Sequence, residues 1–370
     1  MKVATSIALG TKATPALAAQ AVSQAMEKAE MTTANSVLLL LTSEFANDPQ
    51  AAIKAAAKAA NCTQVMGCSA TGIFTEEDWV LDAPAAAAMV FGDDVSLQLA
   101  KFNHTQQPLL TLTAPNAINS TWLNDGNKRL GGVSGDAIGQ GPFSVWQNAK
   151  GEVAGYVDAF FANVKVATKA SHGLRLLTKP KKIQQVNGYD VTVLDNKAPI
   201  TALNKAWRLL NKTDEPIPLH LVIAVYANNA ATINAGDYNQ THLISYDEDN
   251  GSITLAQPLK AGQFLSWGFR DKTLAEADLT SVTHHLIKEL NLKPSSSMPD
   301  FGLLFSCLGR GPYFYGGIDR DLKVLTQQFP NMPLLGFYGN GEIASIGGVN
   351  QLLPYSAVLS LFAAQQVSSN

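Results

Sequence analysis

Apolar residues recur along this chain in two rhythms, one continuous and one helical. Residues 301–305, FGLLF, are apolar without a break, and the run stops at Cys307, Gly309 and Arg310. That pattern predicts a buried strand ending in a loop. Beyond Gly316 and Gly317, Ile318, Leu322, Leu325 and Phe329 keep the i, i+4, i+7, i+11 spacing of one helical face, which predicts an amphipathic helix. From Leu334 a second short apolar run breaks at Gly336, Gly339 and Gly341 before Glu342. The unit reads as strand, helix, strand.

The same order occurs near the other end. VLLLLTSEF at 37–45 precedes an alanine-rich helical run at 48–60, and TQVMGCSATGIF follows at 63–74. Laid over the later segment, Gly67 falls on Gly336 and Gly72 on Gly341. An internal duplication is expected from matching glycines behind matching elements. In open α/β sheets ligands sit beyond the carboxyl ends of strands, so the two glycine turns are the first places to look for a site.

The remaining pattern fills in between. Residues 2–9 read as a strand. Thr14 and Pro15 mark a helix start, with Leu17, Ala21, Val22, Ala25, Met26 and Ala29 as its buried stripe. From Ala85 the texture becomes short segments separated by glycine, asparagine and aspartate, which are hairpin signals. Helices are expected at 116–123 and 271–290, hairpins at Asn187-Gly188 and Asn250-Gly251, and a closing strand at 355–362. The fold class expected is α/β in the mixed α+β sense, with two internally similar halves whose mixed sheets are covered by helices. The domains read as 1–197 and 198–370, the junction lying between about 190 and 218 near the run EPIP at 215–218.

Composition narrows the function classes. The chain has 370 residues, 46% hydrophobic and only 15% charged, against about a quarter charged in ordinary domains. So few charges point to wide internal interfaces or a homo-oligomer. A net charge of -3 and a pI near 6.1 give no electrostatic case for nucleic acid or an anionic membrane. No run reaches the length of a membrane span. Three cysteines without metal-ligand spacing suit a reducing cytoplasm.

Several residues carry candidate chemistry. GCSATG offers Cys68 and Ser69 as nucleophiles of a hydrolase or transferase, yet it is not G-x-S-x-G. The alternative is a tight turn whose small side chains admit a ligand or another strand. Arg310 and Glu342 end the two strands of one unit; they form either a structural ion pair or a site in which the arginine fork holds a ligand carboxylate and Glu342 takes an amine. An amino-acid-like ligand satisfies both. The histidines, His104, His172, His220, His242, His284 and His285, are scattered.

Taken together, FSCLGRG, LLGFYGNGEI, FRDKTLAEADL and ISYDEDNG resemble the C-terminal half of FIST-domain proteins, and VMGCSATG, LGGVSGD and LLTKPKKIQQVNGYDVTVLDNKAP resemble the N-terminal half. The resemblance spans roughly residues 30–362. It implies a cytoplasmic sensory protein that binds a small ligand, has no enzymatic activity and acts through a separate signalling protein. The candidate ligand-binding set, taken from the two glycine turns and the strand ends beside them, is Gly67, Cys68, Ser69, Cys307, Arg310, Tyr338, Asn340 and Glu342. A subset of such proteins resembles haem-binding nitric oxide sensors acting on a histidine kinase or a diguanylate cyclase or phosphodiesterase. For that alternative His242 is the first candidate haem ligand. The chain departs from the family pattern at Thr241, His242 and Leu353.

Overall fold

The computed structural model describes residues 1–100, 107–136, 138–152, 155–211, 217, 219, 222–292 and 298–365. His104, His220 and most of the EPIP junction lie outside the described residues. The chain forms two compact units that are not consecutive: Met1–Ser171 with Asp278–Asn370, and His172–Ala277. The fold is mixed α/β, as the alternation of hairpins and strand-helix-strand runs predicts.

The larger unit begins with β1 (Lys2–Leu9), α1 (Pro15–Lys28), β2 (Ser36–Thr42), α2 (Gln50–Ala59) and β3 (Val65–Ala70). A hairpin, β4 (Gly72–Thr75) and β5 (Trp79–Leu81), precedes β6 (Ala85–Gly92). In the sheet, β6 lies between β1 and β2, antiparallel to both, and β2 runs parallel to β3. The next stretch repeats this plan. β7 (Ser96–Leu99), β8 (Leu109–Thr113), α3 (Ser120–Leu123), β9 (Arg129–Val133), the hairpin β10 (Val145–Gln147) and β11 (Lys150–Gly151), and β12 (Tyr156–Ala162) follow. Here β12 lies between β7 and β8, and β8 runs parallel to β9. The helix expected over 116–123 shrinks to a 3₁₀ turn and the four residues of α3. A third round opens with β13 (Val164–Ser171).

Between β13 and the rest of that round the chain builds the smaller unit. Its strands are β14 (Leu174–Leu176), β15 (Lys181–Asn187), β16 (Asp190–Leu194), β17 (Val222–Ala227), β18 (Asn239–Tyr246), β19 (Ile253–Leu255) and β20 (Phe264–Arg270), with helices α4 (Pro199–Asn211) and α5 (Ala230–Asn234). Pairing runs β20-β15-β16-β19-β18-β17 and returns to β20, so six antiparallel strands close into a barrel. Closure removes free edges. Ile183, Val191, Leu243 and Trp267 fill its interior.

Helix α6 (Lys272–Leu290) leads back into β21 (Phe301–Cys307), α7 (Pro312–Tyr315), α8 (Arg320–Gln328) and β22 (Leu334–Gly339). The hairpin β23 (Glu342–Ile346) and β24 (Val349–Leu353) precedes β25 (Ala357–Ala364). Again the last strand, β25, lies between β13 and β21, and β21 runs parallel to β22. The duplication read from the two glycine turns is thus part of a triplication. Ile318, placed on the helical stripe by spacing, is 61% exposed and precedes α8.

Each hairpin is handed to a different sheet. β4–β5 extend the sheet of the third round beside β22, β23–β24 extend the second beside β9, and β10–β11 extend the first beside β3. The exchange closes a cycle. All three sheets supply side chains to one core, including Leu38, Phe91, Leu112, Leu130, Phe305 and Phe337. Helices α1 and α2 cover the outer face of the first sheet, and α6 and α8 that of the third. β2 is therefore buried on both faces, which is why it reads as an unbroken apolar run.

Candidate functional site

The three parallel strand pairs share one register. Gly67 faces Leu39, Gly131 faces Thr111 and Gly336 faces Leu304, each the third pair of its ladder. Four residues past each glycine the chain crosses to the next sheet, at Thr71, Gly135 and Asn340. These three crossings meet. A Cβ on Gly135 would stand 2.8 Å from Thr71 Oγ1 and 3.0 Å from Asn340 Oδ1. Serines tie the crossings together: the Ser134 hydroxyl donates to Ser69 O at 2.6 Å, and the Ser144 backbone N–H donates to Ser69 Oγ at 3.0 Å. Asn340 N–H donates to Val133 O, and Val133 N–H to Gly341 O. Among the described residues, the buried Thr71 hydroxyl and one oxygen of Asp136 find no hydrogen-bond partner. Asn340 is exposed beside them.

The residues suggested by sequence divide between this junction and its surroundings. Gly67, Cys68 and Ser69 lie inside β3, fully buried. Burial pushes the Cys68 thiol far up, so it stays protonated. Tyr338 is buried too, and its hydroxyl donates to Asp319, whose carboxyl is pushed up to about 6 by burial and by neighbouring Asp321. Cys307 closes β21. Glu342 is not the end of β22, as the sequence suggested, but the first residue of β23 in another sheet, opposite Gly132 and Leu353. It is 1% exposed. Burial first, and the Cys307 thiol second, hold its carboxyl well above the ordinary range. The Ser356 N–H pulls the other way, yet neither carboxyl oxygen meets a donor in hydrogen-bond geometry among the described residues. A neutral acid is left at the start of β23, its oxygens unmet in hydrogen-bond geometry among the described residues.

The partner of Arg310 differs from the sequence reading. Its fork closes on Asp321, not Glu342, with Nε donating to Oδ2 at 2.8 Å and Nη2 to Oδ1 at 3.2 Å. Nη1 donates to Ser171 O at 2.7 Å and Nη2 to Ser171 Oγ at 2.8 Å. Burial alone would weaken the guanidinium charge, but Asp321 outweighs it and the group stays ionised. The place expected for a ligand carboxylate is taken by Asp321. Position rather than chemistry hid this: Asp321 sits on the first turn of α8, eleven residues after Arg310, inside a helix read only for its apolar stripe.

In the barrel, His242 on β18 is half-buried, and burial followed by the Arg270 charge lowers its pKa, keeping the imidazole neutral. His172 is more deeply buried, stacked on Tyr238 at 4.6 Å. His284 and His285 lie on α6. Among the described residues no cluster of histidine, cysteine and acidic side chains could hold a metal.

Residues 36–197 match the FIST N domain and residues 202–345 the FIST C domain. The chain belongs to the FIST family. FIST domains are generally sensory and signal-transduction domains. An uncharacterized protein of Mycobacterium tuberculosis is 25% identical over 93% of this chain and 95% of its own length. An uncharacterized protein of Mycobacterium bovis is 24% identical over 80% of this chain and 82% of its own. Human F-box only protein 22 is 36% identical over 20% of this chain and 16% of its own length. Among the described residues no helix is long and apolar enough to cross a membrane.

Sequence reasoning missed Thr71, Ser134, Gly135, Ser171 and Asp278. Gly131 was the available signal for the first three. RLGGVSGD carries glycine in the same third place as VMGCSATG and LLGFYGNG.

Proposed function

We propose that this FIST protein is a cytoplasmic, non-enzymatic sensory module that binds a small ligand where its three sheets exchange strands. The observation that carries the reading is Glu342, a carboxyl 1% exposed just past the carboxyl end of β22, whose oxygens meet no donor in hydrogen-bond geometry among the described residues. Such a group is costly unless something pairs with it, and strand ends are where α/β sheets hold ligands. Asn340, exposed two residues before Glu342, meets the buried Thr71 hydroxyl at the Gly135 crossing and offers polar contacts there, with Cys307 beside Glu342. An amino-acid-like ligand suits this set because its ammonium can donate to Glu342. Arg310 then acts behind the site, not in it. Nucleophilic use of Cys68 or Ser69 is disfavoured by the protonated thiol and by the Ser69 hydroxyl bonded into the Ser134 and Ser144 clamp. Three free cysteines suit a reducing compartment. Output passes to a separate signalling protein.

A thermal-shift screen of amino acids and small amines on the full chain tests this. A hit should raise the midpoint with concentration as RT ln(1 + [L]/Kd) and lose the shift in Asn340→Ala. Hits that shift Asn340→Ala and Glu342→Gln as much as wild type would place the ligand elsewhere.

A haem-based nitric oxide sensor, addressing a histidine kinase or a cyclic-dinucleotide enzyme, is the second reading. The neutral, half-buried imidazole of His242 fits an axial ligand, and the Arg270 charge beside it suits a propionate. Haem titration of the purified protein should then give a Soret band that His242→Ala removes and His284→Ala keeps.

A further inference from the structure

The repeats supply an internal comparison for the inserted barrel. In the first round, residues 10–14 link β1 to α1; in the third, the whole of His172–Ala277 stands between β13 and the part of α6 belonging to the larger unit. Leu9 and Ser171 are equivalent, each the last residue of its outer strand, opposite Ala85 and Ala357. After Leu9 the link is plain: Gly10 N–H donates to Pro84 O, and Gly10 packs on Leu17. After Ser171 it is charged and buried.

Ser171 and Asp278 are the residues of the larger unit that flank the insert. The Ser171 hydroxyl donates to Asp278 Oδ2 at 2.8 Å, so the two stems are joined directly. Arg310 grips the same serine through its carbonyl and hydroxyl, while Asp321 holds the other side of the fork and the Tyr315 hydroxyl donates to Asp321 at 2.7 Å. This arrangement belongs to the round that carries the insert.

We propose that Arg310 is a clasp on the two stems of the inserted barrel: it holds Ser171, which in turn holds Asp278, and is itself anchored on α8 by Asp321.

Hydrogen exchange by mass spectrometry on the full chain tests it. Ser171→Ala, which keeps the Arg310–Asp321 pair, should speed exchange about tenfold in segments 168–175 and 274–282 while β2 and β3 stay at the wild-type rate. Arg310→Lys should give the same pattern. Stems that exchange at the wild-type rate in both variants would overturn the clasp, as would an equal rise in β2 and β3.

Discussion

Gly67 and Gly336 lie 269 positions apart yet hold one place in two sheets, each with the neighbouring strand's backbone where a side chain would begin. A Cβ on Gly67 would stand 1.7 Å from Leu39 O, and one on Gly336 would stand 2.1 Å from Leu304 O. Gly131 is the third member, 1.9 Å from Thr111 O, and both it and Gly67 have positive φ. Because the obstruction is backbone, it cannot move aside. Alanine at any of the three should cost about 3 kcal/mol or more in urea denaturation. Gly262→Ala, at positive φ but with nothing within 4 Å, should cost only about 1 kcal/mol. Comparable losses at all four sites would refute this.

Thr71 tests the junction from the other side. Its hydroxyl is buried without a partner among the described residues, so Thr71→Val keeps the shape and removes an unmet polar atom. Stability should hold or rise by about 1 kcal/mol, read as the chemical-denaturation midpoint. A loss of that size would mean the hydroxyl is bonded after all.

Glu342 should make stability fall as pH rises. Its folded pKa lies above its unfolded one, so the folded chain keeps a proton that the unfolded chain releases. The stability contributed by that proton is complete below the unfolded value, about 4.3, and is lost as pH climbs toward the folded value. Glu342→Gln removes the dependence. The variant should match wild type near pH 4 and exceed it above, the gap growing by up to about 1.4 kcal/mol per pH unit. Parallel stability curves would contradict the assignment.

Truncating Arg310 leaves Asp321, 2% exposed, as a buried charge without its cation. Arg310→Ala should therefore cost about 3–5 kcal/mol, whereas Arg310→Met with Asp321→Leu should recover most of it. A double mutant no better than the single would show that Ser171, more than the ion pair, sets the cost.

The sequence made the strands and helices legible wherever burial was one- or two-sided and uniform. The unbroken run of β2 and the hairpin between β15 and β16 both read correctly, although the loop is Gly188-Tyr189, one residue later than the Asn187-Gly188 pair suggested. Glu342 did not, because a chain that leaves one sheet and enters another shows only a few small residues at the crossing. Local pattern contains no trace of which sheet receives β23. Asp278 and Asp321 were hidden for a related reason: each sits on a helix whose polar positions look solvent-facing until a distant strand end, Ser171, arrives beside them.

The cyclic handing-on of hairpins also fixes an order of assembly on the ribosome. The first sheet is complete once Gly151 has emerged, since all its strands precede that point. β9, in contrast, waits for β23 and so stands with an open edge until Ile346 is made. An uncovered strand edge invites pairing with other chains. A chain made only as far as the span between those two points has every strand of the first sheet but not the strand that covers β9, which makes β23 and β24 the strands that guard the second sheet.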